Sequence, residues 1–145
     1  MNNVITREVD LGIVGGTILT MNGEPDILEG KCIAIDNGRI LDIQPIAECG
    51  YSFRKTINAS GCIVMPGLIN AHSHLPMTFF RGLADDLPLE KWLQGYIWPL
   101  EAKLLDSKFI HDAALHGAAE MIKNGITTTQ DMYFDMNAIA SACKE

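Results

Sequence analysis

The sequence lacks the features of several common protein classes. It contains no apolar run of about 18 residues, the length that a membrane-spanning helix needs. Its first ten residues include Arg7, Glu8 and Asp10, which interrupt the apolar stretch that a signal peptide requires. The 11 Lys and Arg residues are scattered and outnumbered by 18 Asp and Glu, which argues against a nucleic-acid partner. We therefore expect a soluble, cytoplasmic protein without a membrane anchor.

Cysteine is scarce and shows no motif. The four cysteines are Cys32, Cys49, Cys62 and Cys143. No two of them form a C-x-x-C pair, so neither a zinc knuckle nor a dithiol redox motif is indicated. Cys32 and Cys62 lie in apolar, strand-like runs, and we predict that both are reduced and buried.

The first part of the chain is typical of short strands joined by tight turns. Asn37-Gly38 is the strongest turn signal, because both residues tolerate positive φ in a type I′ hairpin. The predicted strands are Asp10–Val14, Thr17–Thr20, Lys31–Asp36, Arg39–Ile43, Thr56–Asn58 and Cys62–Met65. Several short antiparallel strands predict a small β-sandwich or barrel domain over residues 1–62.

The pattern changes after residue 62. Ile63–Ile69 is an apolar run that predicts a buried parallel strand, and Ile126–Asp131 predicts another. Between them, Ser107–Lys123 has an apolar stripe at helical spacing, with Ser107 or Asp106 as its cap. Shorter helices are predicted over residues 77–81, 89–96 and 137–144. Strand, helix and parallel strand form a βαβ unit, and a whole (β/α)8 barrel takes about 250 residues. Residues 63–145 therefore predict an incomplete TIM barrel, and the fold class is α/β plus β.

Two histidines at the end of the apolar run are the strongest chemical signal. Side chains at positions i and i+2 of a strand point the same way, so His72 and His74 can offer two imidazoles to one metal ion. The alternative is a pair of exposed loop histidines that hydrogen-bond to the backbone. A catalytic zinc usually takes three protein ligands, and no second histidine or cysteine cluster follows His74.

The sequence around this pair resembles a known family. Met65–His74, which reads Met-Pro-Gly-Leu-Ile-Asn-Ala-His-Ser-His, resembles the first-strand signature of the amidohydrolase superfamily. Further segments are similar to the 5′-methylthioadenosine/S-adenosylhomocysteine deaminase group, in the branch that also holds triazine hydrolases and guanine deaminases. These segments are Met77, Arg81-Gly82, Ala84–Leu87, Trp92-Leu93, Ile97–Pro99, Glu101, Gly117–Met121 and Gly125–Thr129, with Gly16–Met21 and Asp36–Ile40 in the N-terminal part.

The resemblance implies roles for four residues. His72 and His74 would be two ligands of one divalent metal ion, Zn first, with Fe, Ni or Mn as alternatives. Glu101 would bind the ribose hydroxyls of an adenosine-type substrate, since a carboxylate can accept from two vicinal hydroxyls. Without the resemblance, Glu101 would be interpreted as a solvated acid at a helix start. Trp98 would line an adenine pocket, with loop packing as the alternative.

The resemblance also implies an activity. The chain would be the N-terminal part of a metal-dependent aminohydrolase that deaminates adenosine-like thioether nucleosides through an activated water. The catalytic residues and the remaining ligands would lie beyond residue 145, so we expect no significant deaminase activity from these 145 residues alone. The alternatives are a guanine deaminase or triazine hydrolase activity, an enzyme completed by a separate chain, or a non-catalytic oligomerising module. The expected partners are a nucleoside substrate and a second copy of the chain, paired through an exposed sheet.

Other residues are predicted to be structural. Arg81 would anchor its loop by pairing with Asp85 or Asp86. His111 and His116 lie about 140° apart around their helix and are expected on its surface, without a shared metal. Asp131 ends the second parallel strand and is predicted to have a structural role.

Overall fold

The computed structural model describes residues 7–23 and 27–145, and the chain divides into two compact units between Pro66 and Gly67. Residues 1–6 and 24–26, which the predicted N-terminal domain includes, lie outside the described residues. The described part of the first unit consists of β-strands and one 3₁₀ turn (Ile46–Glu48), and the second unit combines helices with a parallel pair of strands, so the chain is mixed α/β. Across residues 7–23 and 27–145, no helix is long and apolar enough to cross a membrane.

The first unit contains two sheets. Its strands are β1 (Arg7–Val14), β2 (Thr17–Leu19), β3 (Ile27–Leu28), β4 (Lys31–Asp36), β5 (Arg39–Pro45), β6 (Tyr51–Asn58) and β7 (Ile63–Val64). One sheet has the strand order β5-β4-β1-β6, and the other has the order β3-β2-β7. The hydrophobic side chains buried in this unit include Val9, Ile18, Cys32 and Ile33.

The predicted hairpin is confirmed. Asp36 pairs with Arg39 across the two-residue loop, and β4 and β5 are antiparallel. Asn37 has φ 50° and Gly38 has φ 70°, the two positive values that a type I′ turn requires. A local sequence signal therefore fixes the register of these two strands.

The expectation that the strands are all antiparallel is wrong. β6 pairs in parallel with β1, from Arg7 opposite Tyr51 to Val14 opposite Asn58, and β7 pairs in parallel with β2. β6 also begins five residues before its predicted start at Thr56. Parallel partners need long connections, so no short-range turn signal announces them.

Two further expectations need correction in the same region. The run Ile63–Ile69 is not one strand: β7 ends at Val64, and the next strand begins at Leu68, beyond the Pro66-Gly67 break. Proline has no amide hydrogen to donate to a ladder, which explains the interruption. Cys32 is buried as predicted, but Cys62 is exposed in the turn before β7.

The second unit is built around a βαβ crossover. Its elements are β8 (Leu68–Ser73), a 3₁₀ segment (Leu75–Phe80), α1 (Leu89–Trp92), a π-helical turn (Leu93–Ile97), α2 (Trp98–Leu104), α3 (Ser107–Lys123), β9 (Ile126–Asp131) and α4 (Met136–Ala142). β8 and β9 pair in parallel, as the predicted βαβ unit requires. Because parallel strands end at the same edge of a sheet, the residues that follow β8 and β9 meet there.

Helix α3 holds this crossover together. The Asp106 carboxylate caps it by accepting from the Phe109 amide at 2.7 Å, and Gly125 beyond its C-terminus has φ 76°. The core that α3 shares with the 3₁₀ segment and α4 consists of Leu75, Ile110, Ala114, Ile139 and Ala142. A Cβ at Gly117 would lie only 3.0 Å from the Leu75 side chain. Because glycine has no side chain, Leu75 can pack closely against α3 at this position.

Candidate active site

The two predicted histidines face each other at the end of β8. His72 is the next-to-last residue of the strand, and His74 follows its end. Their Nε2 atoms are 3.2 Å apart, and the ring centroids are 4.9 Å apart at an interplanar angle of 82°. Ser73 between them is buried, with 9% of its surface exposed. The strand period therefore puts both imidazoles on one side and the serine on the other.

Ser73 joins the end of β8 to the end of β9. Its hydroxyl lies 2.6 Å from Thr129 Oγ1 and 3.0 Å from Asp131 Oδ2. The same Asp131 oxygen accepts from the Leu75 amide at 2.7 Å. The Met132 amide in turn donates to the Ser73 carbonyl at 3.0 Å. One carboxylate oxygen thus ties down the residues on both sides of His74.

The His74 ring has a defined hydrogen-bond partner. Its Nδ1 lies 2.5 Å from the Met132 carbonyl oxygen. A carbonyl can only accept, so Nδ1 carries the hydrogen in the neutral ring and Nε2 keeps its lone pair. The ring nitrogen nearest His72 is therefore the one that can bind a metal.

The spacing of the two Nε2 atoms fits a divalent metal ion. Two nitrogens at about 2.0–2.1 Å from a tetrahedral ion lie about 3.3 Å apart, close to the 3.2 Å in this structure. Among residues 7–23 and 27–145, no cluster of three or more His, Cys, Asp or Glu side chains could hold a metal. The described residues therefore offer a two-nitrogen site, which needs further ligands to become a complete one.

Glu101 lies in the first turn of α2 and is buried, contrary to the solvated helix-start acid of the alternative interpretation. Its Oε1 accepts a hydrogen bond from the Tyr133 hydroxyl at 2.5 Å. Burial first, and then this hydrogen bond and the Glu101 charge, raise the pKa of Tyr133 well above its usual range. Tyr133 therefore stays protonated and remains the donor.

Tyr133 also lies between Glu101 and the histidines. Its ring centroid is 6.2 Å from that of His74, while its hydroxyl reaches Glu101. Trp98 and Glu101 line a cavity of about 610 Å³ together with Phe134, and the Trp98 ring is half exposed there. The structure thus brings the two predicted substrate-binding residues to one cavity, and Tyr133 links that cavity to the histidine pair.

The other polar predictions have mixed outcomes. Arg81 does not pair with Asp85 or Asp86; its guanidinium makes two hydrogen bonds to the Glu120 carboxylate, at 2.9 and 2.6 Å. Glu120 lies 39 residues further along the chain, in α3, so the charges close to Arg81 in sequence did not identify its partner. His116 is exposed and lies 3.5 Å from Glu120.

Sequence reasoning missed three residues of the site. Ser73, Met132 and Tyr133 act through hydrogen bonds that span 32 to 58 residues of sequence. One signal was present: Met132 and Tyr133 follow directly after a predicted parallel strand, and such strand ends meet at one edge. Applied to both strands, that rule would have placed residues 131–133 beside His74.

The chain is similar to known proteins over most of its length. The Amidohydrolase family matches residues 63–145 of this chain. A 5-methylthioadenosine/S-adenosylhomocysteine deaminase of Thermodesulfovibrio yellowstonii is 42% identical over 132 residues, which cover 88% of this chain and 30% of that protein. A 5′-deoxyadenosine deaminase of Methanococcus vannielii is 48% identical over 101 residues, which cover 70% of this chain and 24% of that protein.

A solved structure is similar along nearly the whole chain. An adenosine deaminase from Xanthomonas campestris with bound zinc superposes with a TM-score of 0.87 and 36% identity, over 95% of this chain and 32% of that one. The chain spans about 30% of the length of these relatives. Because the family match covers more than half of the sequence, including both histidines, this chain belongs to the amidohydrolase family.

Proposed function

We propose that this chain is the N-terminal part of a metal-dependent aminohydrolase that deaminates adenosine-like thioether nucleosides. The observation that carries the proposal is the pair of Nε2 atoms 3.2 Å apart, linked through Tyr133 to a buried Glu101. The names of the similar proteins, which include deaminases of 5-methylthioadenosine, S-adenosylhomocysteine and 5′-deoxyadenosine, support the same substrate class.

For the fold, we propose a β-sandwich domain followed by the first βα units of a TIM barrel, with the boundary at Pro66 instead of the predicted residue 62, because β7 pairs with β2 of the first unit. The two sheets of the first unit and the parallel pair β8–β9 around α3 support this assignment. The similarity to a larger deaminase structure supports it further. In such a barrel, strand ends at the carboxyl edge hold the chemistry, which is where His72 and His74 lie.

His72 and His74 are proposed as two ligands of one divalent ion, with Zn the first choice and Fe, Ni or Mn as alternatives. Imidazole nitrogen is a ligand that suits these metals. When bound, the metal supplies an activated water for hydrolysis. The proposed roles of this chain's own residues are to present the two nitrogens and to bind the nucleoside. Among the described residues, no cluster of three or more His, Cys, Asp or Glu side chains would complete the metal site.

Glu101 is proposed to bind the ribose. The carboxylate has several acceptor positions, and the Tyr133 hydroxyl uses one of them on Oε1. The others can accept from a vicinal pair of hydroxyls, in a buried setting where such bonds are strong. Trp98, at the same cavity, is proposed to pack against the adenine ring.

The partner proposals are the nucleoside itself and a second copy of this chain. Leu68 and Ile69 of β8 are exposed to 51% and 72%, and exposed apolar strand residues favour pairing through the sheet. Sedimentation of the purified chain tests this: a concentration-dependent dimer is expected, and a monomer at all concentrations contradicts it.

Two titrations test the proposed function. For the metal, Zn²⁺ is added to the chain while the ring nitrogen NMR signals of His72 and His74 are followed. Both signals are expected to shift together, and His72→Ala is expected to weaken binding at His74 at least tenfold. Zinc binding that leaves both rings unaffected contradicts the metal role.

For the substrate, 5′-methylthioadenosine and its 2′-deoxy analogue are titrated against the chain and its Glu101→Gln variant. We expect the variant to weaken methylthioadenosine binding about tenfold, since hydrogen bonds to a charged group contribute about 1.5–3 kcal/mol. The 2′-deoxy analogue should bind weakly to both proteins. Tighter binding of guanine or a triazine, unaffected by Glu101→Gln, would instead favour the guanine deaminase or triazine hydrolase alternative.

A further inference from the structure

We propose that Asp131 and the Met132 carbonyl, at the end of β9, are positioning groups that hold the His74 ring ready to bind a metal through Nε2. This inference rests on the proposed metal role of His74. Neither residue touches the place where the metal would lie. Both act through the backbone and the ring of His74, so they are positioning residues and not catalytic ones.

Asp131 fixes the backbone on both sides of His74. Its Oδ2 accepts from the Ser73 hydroxyl at 3.0 Å and from the Leu75 amide at 2.7 Å. His74 has φ −133°, which is typical of a strand, and ψ 71°, which lies outside the strand range, at the point where the chain leaves β8. A single acceptor atom that holds residues 73 and 75 therefore sets the direction in which residue 74 points.

Met132 fixes the ring itself. Its carbonyl accepts from His74 Nδ1, and its amide donates to the Ser73 carbonyl at 3.0 Å, which holds the acceptor in place. The Nδ1 hydrogen bond selects one tautomer and one ring orientation. In metal sites, such partners on the non-ligating nitrogen orient the ring and raise its basicity.

His72 has no comparable support. In the described part of the chain, its ring makes one hydrogen-bond contact, with His74 Nε2. The neutral His74 ring keeps a lone pair on Nε2, so His72 Nε2 is the donor in that contact. His72 must move that proton before it can bind a metal, whereas His74 is already in the required form. The two histidines therefore differ. Nε2 of His74 already has a free lone pair, whereas Nε2 of His72 must first lose its proton.

The second carboxylate oxygen of Asp131 determines which substitutions can test the role of this residue. Asp131 Oδ1 is buried and has no hydrogen-bond partner among the described residues. An asparagine at this position could keep its amide oxygen at the Oδ2 position, where both donors lie, so Asp131→Asn preserves the positioning. Asp131→Leu has a similar size but no acceptor. It leaves the Leu75 amide without this partner, while the Ser73 hydroxyl keeps its contacts with Thr129 and the Gln130 carbonyl, so the backbone around His74 is held less firmly.

The experiment uses long-range ¹H–¹⁵N NMR of the histidine rings in this chain, first without metal and then with added Zn²⁺. Without metal, His74 is expected as the Nδ1–H tautomer in the unaltered chain and in Asp131→Asn. Asp131→Leu is expected to give a mixture of tautomers and to weaken zinc binding at His74 by about ten- to hundredfold. Asp131→Asn should stay within about threefold of the unaltered chain, a rescue that general destabilisation would not produce.

A milder variant covers the case in which Asp131→Leu fails to fold. Ser73→Ala removes one donor to Asp131 and keeps the Leu75 amide in place. It is expected to reduce the Nδ1–H population and the zinc affinity in the same direction, by a smaller factor. An unchanged tautomer and an unchanged zinc affinity in Ser73→Ala would overturn the inference.

The outcomes separate this inference from the proposed function. His74 protonated on Nε2 in the unaltered chain, or zinc affinity unaffected by Asp131→Leu in a folded protein, overturns the positioning role. If His72→Ala and His74→Ala leave zinc binding unchanged while the tautomer responds to Asp131→Leu as expected, the metal role is wrong. The positioning of His74 by Asp131 and Met132 then stands.

Discussion

Among the described residues, the two units differ in their buried polar side chains. In the first unit, charged residues pair at the surface, with Arg54 lying 3.0 Å from both Glu8 and Asp10. In the second unit, Ser73 and Glu101 are buried and reach partners across the fold. Burying polar groups is costly unless they are hydrogen-bonded, and surface pairs contribute little. The second unit therefore holds polar side chains in fixed positions at a cost in stability. A reactive site needs such fixed positions, whereas a region that only supports the fold does not.

The largest expected effect on stability comes from truncating a core side chain of the second unit. Leu75 is 1% exposed and directly follows His74, so Leu75→Ala should cost about 2–5 kcal/mol and also disorder the His74 ring. Both tryptophans, Trp92 and Trp98, lie in the second unit, so their fluorescence in urea reports its unfolding.

The matched control is Ile18→Ala in the first unit, where Ile18 is 4% exposed. It should cost a similar free energy of unfolding in its own unit and leave the His74 tautomer unchanged. If Ile18→Ala altered that tautomer as strongly as Leu75→Ala does, the site would not belong to the second unit alone.

The next effect concerns reactivity in the first unit. Burial, with the hydrogen bond and charge of Cys49 at 3.4 Å, raises the pKa of Cys32 from 9.0 to about 11. Two pKa units leave about a hundredfold less thiolate near neutral pH, and the thiolate is the reactive form. Cys32 should therefore react with iodoacetamide at least a hundredfold more slowly in the folded chain than in urea, as measured by peptide mass spectrometry.

The exposed Cys62 serves as the internal control for that measurement. Its alkylation rate should change little between the folded and the urea-unfolded chain. Equal rates for Cys32 and Cys62 in the folded protein would show that the interior of the first unit is open to solvent.

A smaller effect tests the helix that supports the βαβ crossover. Asp106→Ala removes the acceptor for the Phe109 amide and should lower the stability of the second unit by about 1 kcal/mol. Asp106→Asn keeps an acceptor at this position and should cost less than half as much. Tryptophan fluorescence in urea measures both variants, and equal losses would exclude the capping explanation.

The smallest effect is expected at the surface of the second unit. The hydrogen bonds from Arg81, and then its charge, hold the pKa of Glu120 below its usual value. A lowered folded-state pKa contributes stability above the ordinary carboxyl pKa, and this contribution is lost as the pH falls through the folded value. Arg81→Met should therefore raise the pKa of Glu120 in a carboxyl NMR titration. The free energy of unfolding at pH 7 should change too little to measure, as is usual for exposed ion pairs.

The elements with local signals were predictable. The Asn37-Gly38 turn, the bounds of α3 at Ser107 and Lys123, and the strand Ile126–Asp131 follow from residues within a few positions of each other. The shared side of His72 and His74 also follows from the period of a single strand. Each of these features depends on the backbone conformation of one short segment.

The remaining features depend on residues that are distant in sequence. The parallel pairing of β1 with β6, the Arg81–Glu120 ion pair and the Tyr133–Glu101 hydrogen bond each join segments at least 32 residues apart. The residues around either partner do not indicate which distant segment that partner will contact. Cys62 illustrates the same limit, because an apolar run predicts burial only when another element covers it, and here it lies in an exposed turn.

The alternation of His72, Ser73 and His74 has a consequence for how this motif can vary. The two imidazoles lie on one side of these three consecutive residues, and the Ser73 hydroxyl on the opposite side contacts the neighbouring strand. Inserting or deleting a single residue in this triplet would exchange the two faces, turning an imidazole into the interior and the hydroxyl outward. Such a shift would separate the two imidazoles and remove the Ser73 contact at the same time. The number of residues in this segment is therefore constrained even more tightly than their identities.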